Sequence, residues 1–222
     1  CEPFERGIQL LEELKLNEKT PEEMIQIVKE KVIEQKNKFL ISLGGDHSIS
    51  IGIVKGLEQL HDELSVIQFD AHSDLRDSWN KSSLNHACVA RQISKKHELS
   101  LVGVRSMDIE EKKKIDASEN IHLIKAHEFS INKLKEILPK LKNKIYITID
   151  VDVFDPSFIR NTGTPEPGGL SWNNIIKILK LIFEQKEVIG ADIVEFAPKI
   201  NFEAEAYALA KLCYKIMGLK KI

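Results

Sequence analysis

Leu64-Ser65-Val66-Ile67-Gln68-Phe69-Asp70-Ala71-His72-Ser73-Asp74 is an apolar run that ends in three polar side chains spaced two apart. Leu64 to Phe69 has the length and the β-forming residues of a buried strand. In an extended or gently turned segment, residues two apart point the same way, so Asp70, His72 and Asp74 can face one centre. The strand carries Asp70 to a buried edge, where an unpaired charge is costly. A solvated loop would leave that cost unanswered.

Two further stretches repeat the pattern. Phe39 to Leu43 reads as a buried strand closed by Gly44-Gly45, and Asp46-His47-Ser48 follows. Taken alone, that segment reads as a strand-to-helix turn that needs its glycines. Ile145 to Ile149 reads as a strand ending in Asp150-Val151-Asp152, with Asp155-Pro156 beyond. Taken alone, those carboxylates read as caps and turn residues. Two carboxylates at one buried strand end nevertheless repel unless a cation lies between them. Together the stretches offer the carboxylates of Asp70, Asp74, Asp150 and Asp152 and the imidazoles of His47 and His72. That is the ligand set of a two-metal site, and two metals with an open edge make hydroxide from water at neutral pH. Without a thiolate the set is hard, which favours Mn²⁺ or a similar ion over structural Zn²⁺.

Working outward, strands alternate with helices. Thr20-Pro21-Glu22-Glu23 is a capping box with Pro at the first helical position, opening a helix to about Gln35 whose apolar face is Met24, Ile27, Val28 and Ile33. Ser48 or Ser50 caps a helix to about Leu60. Asn85 to Ser94 reads as helix, Leu99 to Val104 as strand, Asp108 to about Ala117 as helix and Ile121 to Ile124 as strand. His127 to Leu138 reads as one helix ended by Pro139. Ser171 caps a helix through about Glu184, Val188 to Val194 is a strand that is apolar up to Glu195, and Ala204 to Met217 is the last helix. The expectation is an α/β fold, a three-layer α/β/α arrangement around a mainly parallel sheet, in one domain over residues 1–222. In such a sheet ligands bind beyond the carboxyl ends of the strands. His47, Asp70, His72, Asp74, Asp150, Asp152 and Glu195 all fall there.

Composition narrows the partners. The chain has 222 residues, 42% hydrophobic and 30% charged, which suffices for one domain with a large core. A net charge of −2 provides no electrostatic footprint for nucleic acid or an anionic membrane. No apolar run approaches a bilayer span, and the start shows no signal-peptide pattern. Cys1, Cys88 and Cys213 form no Cys-x-x-Cys pair, and so sparse a set suits a reducing, cytoplasmic setting. Cys88 reads as a small packing residue. The chain opens Cys1-Glu2-Pro3 rather than with Met, so a preceding segment is expected to be missing. Two polar residues stand outside the ligand set. His86 follows the loop after Asp74 and reads as either a structural histidine or a proton shuttle. Glu195 reads as either an ion-pair partner of a lysine or a contact for a cationic substrate.

In combination these stretches resemble the ureohydrolase family, which comprises arginase, agmatinase and relatives. The resemblance rests on Gly44-Gly45-Asp46-His47-Ser48, Asp70-Ala71-His72-Ser73-Asp74 and Thr148 to Pro156. It rests also on Gly103-Val104-Arg105-Ser106, Gly163 to Leu170 and Asp192-Ile193-Val194-Glu195, and it covers about Leu40 to the C-terminus. Glu166-Pro167 and Asn85-His86-Ala87-Cys88 resemble the agmatinase-type members. The resemblance implies an arginase/deacetylase-like fold and two Mn²⁺ per chain. His47, Asp70, Asp74 and Asp150 would hold one ion. Asp70, His72, Asp150 and Asp152 would hold the other, with Asp70 and Asp150 bridging. It implies hydroxide attack on the guanidinium carbon of agmatine, giving urea and putrescine. Asp74 would orient the nucleophile, Glu195 would bind the guanidinium, and His86 would pass a proton to the leaving amine. Glu166 would contact substrate, and the chain would form homotrimers or hexamers. Phe196 departs from the smaller residue more usual after the glutamate. Arginine, guanidinobutyrate and formiminoglutamate are alternative substrates, with Arg76, Arg105 or Arg160 as possible partners for a carboxylate. A deacetylase of the same fold would need fewer ligands. A non-catalytic relative would have lost a ligand, His86 or Glu195.

Overall fold

Each apolar run that precedes a polar cluster becomes a strand, and the strands share one direction. The computed structural model describes residues 3–200 and 203–220. Its strands are β1 (Leu40–Leu43), β2 (Ser65–Phe69), β3 (Glu98–Val104), β4 (Ile121–Lys125), β5 (Lys144–Asp150) and β6 (Glu187–Val194). They form one sheet in the order β1-β6-β5-β2-β3-β4, with every neighbouring pair parallel. The helices are α1 (Pro21–Glu34), α2 (Ile49–Leu57), α3 (Val89–Ser94), α4 (Ile109–Asp116), α5 (Ile131–Ile137), α6 (Trp172–Gln185) and α7 (Glu203–Leu219).

Alternation along the strands sorts the helices into two layers. Val66, Leu99, Leu101 and Tyr146 pack with α1 to α4 on one face. Ile67, Phe69, Ile145, Ile147 and Ile149 pack with α5 to α7 on the other. This is the expected three-layer arrangement. After β2 the chain moves outward through β3 and β4, then returns to lay β5 on the opposite side of β2. The order therefore reverses between β2 and β5, and a crevice opens beyond their carboxyl ends. No helix among the described residues is long and apolar enough to cross a membrane.

Several local expectations are corrected. The first strand is Leu40–Leu43, paired only with β6 among the described residues, and it is half-buried with Leu43 70% exposed. An edge position, not a central one, explains that exposure. Neither serine caps α2: Ser48 is helical in backbone and turns its hydroxyl to Asp46 at 2.5 Å, while Ser50 turns its own to Asp192 at 2.7 Å. His127 to Leu138 is not one helix. Ser130 is extended (φ −149°, ψ 154°) and its hydroxyl accepts from the Lys133 N–H, so a 3₁₀ turn ends before it and α5 begins after it. Pro139 sits inside a further 3₁₀ turn. Asn85 to Ser94 likewise divides into a 3₁₀ turn (His86–Cys88), whose start is capped by the Asn85 side chain, and α3.

The capping box at Thr20 and Glu23 forms as expected. The buried stripe of α1, however, is Ile25, Val28 and Val32, with Met24, Ile27 and Ile33 only flanking it. The cause lies on α2. A Cβ at Gly52 would sit 2.9 Å from both the Ile25 carbonyl oxygen and Val28 Cβ, and one at Gly56 would sit 2.8 Å from Val32 Cβ. Two bare glycines one turn apart form a groove into which that stripe of α1 settles. Gly56→Ala is therefore expected to destabilise by about 1–3 kcal/mol through overpacking, rather than gain the ~1 kcal/mol that alanine brings at an open helical site. Urea denaturation measures this, and a stabilised variant would refute the close approach.

Candidate metal centre

The crevice between β2 and β5 collects the polar strand ends. Asp70 directly follows β2, Asp150 closes β5, and Asp152 lies in a 3₁₀ turn just beyond. His47 enters from the turn between β1 and α2. Its Nδ1 lies 3.3 Å from Asp70 Oδ2, 3.2 Å from Asp74 Oδ2 and 3.5 Å from Asp150 Oδ2. His72 Nδ1 lies 2.9 Å from Asp152 Oδ2 and 3.5 Å from Asp70 Oδ1. The ligand atoms thus fall into two groups, His47–Asp70–Asp150 and Asp70–His72–Asp152, each within 4.8 Å. Asp70 is common to both. The resemblance implied Asp70 and Asp150 as bridging residues; Asp70 belongs to both groups, Asp150 to the first, and Asp74 lies beside the first.

The electrostatics show why a cation fits. Burial and the neighbouring Asp70 charge push the Asp74 carboxyl up to about 7. The same two causes raise Asp150 well above the usual carboxylate range and raise Asp152. Burial opposes charge on both imidazoles, yet the facing carboxylates win: His47 is raised well above its ordinary value and His72 to about 11. Burial would also raise Asp70, but the two imidazoles hold it below its ordinary value. A cluster that must retain protons to coexist can exchange them for cations.

A buried polar row behind His47 sets its proton. His47 Nε2 lies 2.9 Å from Thr148 Oγ1, and the Thr148 hydroxyl donates to Asp192 Oδ1 at 2.6 Å. The Thr148 proton is thereby committed, so Thr148 accepts from the Nε2–H of His47. With Nε2–H committed to Thr148, Nδ1 is the nitrogen that faces the three carboxylate oxygens, and it would give up its proton to take a cation. Nδ1 is buried, and the carboxylate oxygens of Asp70, Asp74 and Asp150 surround it at 3.2–3.5 Å, surroundings that a cation would complete. Tyr146 and Ser50 also donate to Asp192, at 2.5 and 2.7 Å. Gln68 Nε2 donates to Asp70 Oδ2 at 2.8 Å. Sequence reading missed these roles: it took the run to Glu195 as apolar and passed over Asp192, read Gln68, Tyr146 and Thr148 only as strand residues, and read Ser50 as a helix cap. A buried aspartate inside that strand was the available signal.

The rim carries the remaining candidates. Glu195 Oε1 accepts from the His47 N–H at 2.6 Å, and the Glu195 N–H donates to the Gly45 carbonyl at 2.7 Å. Asp74 and Glu195 both adopt left-handed backbone, φ +49° and +64°. Such strain concentrates at functional sites. His86 Nδ1 lies 3.1 Å from Asp46 Oδ2, with both side chains about half exposed. That hydrogen bond raises the His86 pKa above its ordinary value. Glu166 meets the site differently: its backbone carbonyl accepts from Arg105, while its carboxylate makes no hydrogen bond to the cluster among the described residues. The three arginines offered as carboxylate partners are engaged. Arg76 meets Asp108 and the Trp79 ring, Arg160 meets Glu205, and Arg105 faces backbone carbonyls.

Comparison with known proteins agrees with this geometry. The family model described as arginase family matches residues 5–218. An N(1)-aminopropylagmatine ureohydrolase from Synechocystis sp. is 37% identical over 192 residues, 83% of this chain and 61% of that protein. An agmatinase from Pyrococcus horikoshii is 38% identical over 183 residues, 81% of this chain and 62% of that protein. The agmatine ureohydrolase of Thermoplasma volcanium superposes with a TM-score of 0.79 at 27% identity, over 95% of this chain and 71% of that one. This chain therefore spans about three fifths of the length of the two curated relatives.

The crowding of carboxylates makes a thermal prediction. Mn²⁺ at a hundredfold excess over its Kd stabilises by about 2.7 kcal/mol, which raises Tm by roughly 5–10 °C for a chain of this size. Chelation reverses it. Calorimetry with and without Mn²⁺ measures the shift, and an unchanged Tm would refute divalent binding at this cluster.

Proposed function

The chain belongs to the arginase family, and from there we propose that it hydrolyses the guanidinium group of agmatine or of an N-substituted agmatine, releasing urea and a diamine or longer polyamine. The observation that carries this reading is the pair of His–Asp groups joined through Asp70, with Glu195 and His86 at the rim. His47, Asp70, Asp74, Asp150, Asp152 and His72 would hold two Mn²⁺. When bound, the ions lower the pKa of water and offset developing charge.

The chain's own side chains supply the rest. Glu195 spends Oε1 on the His47 N–H, which leaves Oε2 for a guanidinium N–H in a charge-assisted bond. Burial raises the Glu195 pKa, and a cationic partner restores its charge. Asp46 holds His86 through Nδ1, so Nε2 remains for proton delivery to the leaving amine. The raised His86 pKa keeps that proton available near neutrality. Asp74, 3.2 Å from His47 Nδ1, would orient the attacking water.

Charge at the rim favours a cationic tail over an anionic one. Arg76 and Arg160 are paired with carboxylates and Arg105 is committed to carbonyls, so the arginines that would suit guanidinobutyrate are occupied. The names of two similar proteins, one an agmatinase and one an N(1)-aminopropylagmatine ureohydrolase, support both cationic substrates.

Urea release from agmatine, N(1)-aminopropylagmatine, arginine and guanidinobutyrate by the Mn²⁺-loaded protein tests the proposal. One or both agmatines should exceed arginine and guanidinobutyrate in kcat/KM by about tenfold or more. No urea from either agmatine, with metal bound, would overturn it. Glu195→Gln should remove a charged hydrogen bond of about 1.5–3 kcal/mol, a roughly 10- to 100-fold fall in kcat/KM, at unchanged metal content.

A further inference from the structure

Arg105 spends its whole guanidinium on backbone. Nη2 donates to the carbonyls of Asp152 and Glu166, each at 2.7 Å, and more weakly to Phe154 at 3.4 Å. Nη1 donates to Gly103 at 3.0 Å, and Nε to Pro167 at 3.0 Å and Glu166 at 3.3 Å. No carboxylate pairs with this arginine among the described residues. Its own N–H donates to the Ala71 carbonyl at 2.8 Å.

These partners belong to separate parts of the site. Ala71 lies between Asp70 and His72, and its N–H in turn donates to Asp152 Oδ1 at 2.9 Å. Asp152 is therefore gripped at its carbonyl by Arg105 and at its carboxylate by Ala71, while Oδ2 meets His72 Nδ1 at 2.9 Å. Glu166 and Pro167 belong to the 161–169 loop, held from its other side by Asp155, which accepts from the N–H groups of Gly168 and Gly169. The same loop reaches Glu195: a Cβ on Gly163 would stand 4.0 Å from Glu195 Oε2. Among the described residues no hydrogen bond or ion pair joins Arg105 to His47 or Asp74. A rigid fork of five donors can satisfy carbonyls from three segments at once, and a lysine ammonium cannot.

We infer that Arg105 is a positioning residue that holds the Asp70–His72–Asp152 half of the cluster in register with the 161–169 loop. Its metal consequence stands on geometry alone. Its consequence for substrate rests on the proposed guanidino hydrolysis.

The experiment compares wild type with Arg105→Lys and Arg105→Met as Mn²⁺-loaded full chains. Circular dichroism reports folding, and Mn²⁺ titration followed by electron paramagnetic resonance reports each metal. The wild type should bind two ions that give a coupled-pair spectrum. Both variants should keep one ion at near wild-type affinity and bind the other about 10- to 100-fold more weakly, with the six-line signal of an isolated ion at limiting Mn²⁺. At saturating Mn²⁺, KM for the substrate the wild type uses should rise more than kcat falls. Equal weakening of both ions would mark a general structural role and overturn the inference, as would unchanged binding and KM. If Arg105→Met fails to fold, Arg105→Lys decides by the same readings. A wild type that binds two Mn²⁺ but releases no urea would sink the functional proposal while leaving the metal readings to judge Arg105. A wild type that binds fewer than two ions overturns both.

Discussion

Four carboxylates and two imidazoles share one buried crevice, and the rest of the molecule is arranged around that crowding. Like charges at such separations in a poorly solvated site cannot all ionise without a counter-charge. Asp70 stands at the centre because, among the described residues, it belongs to both candidate groups, His47–Asp70–Asp150 and Asp70–His72–Asp152. Its backbone is fixed by β2, a strand buried along its whole length, and its carboxylate by the Gln68 amide and the His72 N–H. The parallel sheet places the strand ends together, and the reversal of strand order between β2 and β5 opens the space they fill.

Around this centre the hydrogen bonds run in one direction. Asp192 accepts from Thr148, Tyr146 and Ser50, and Thr148 accepts from His47. A buried row of this kind favours a single tautomer of the imidazole. The rim is held by contacts of another sort: backbone N–H to Glu195, carboxylate to imidazole at Asp46 and His86, and guanidinium to carbonyl at Arg105. Strand ends and the turns just beyond them hold the candidate ligands, and loops clamped by specific donors carry the groups that would meet a substrate.

The strands and the cluster of polar residues beyond them were legible because both depend on local pattern. An apolar run followed by polar residues two apart requires only the alternation of a strand and the cost of a buried charge. The role of Asp192 was overlooked although the residue was in view, because a lone aspartate in an apolar strand gains its meaning when Thr148 and Tyr146 of the neighbouring strand face it. Arg105 was read as a charge in search of a carboxylate, and its carbonyl partners come from loops that no periodicity locates. The break at Ser130 was overlooked for a local reason: its capping hydroxyl was outweighed by the apolar spacing on either side. The stripe of α1 was misplaced because the groove that receives it lies on α2, in glycines that carry no hydrophobic signal.

The long connections within the crevice bear on the order in which the molecule assembles. Ala71 and Asp152, which meet across it, are 81 residues apart, and His47 and Glu195 are 148 apart. Contacts so distant in sequence form only after a large loss of chain entropy. A cation held here would gain its full set of ligands only once β5 lies beside β2, so it would not nucleate the fold as zinc does in a short finger. Its stabilisation would act on a structure already complete, and would lengthen the lifetime of the folded state more than hasten folding.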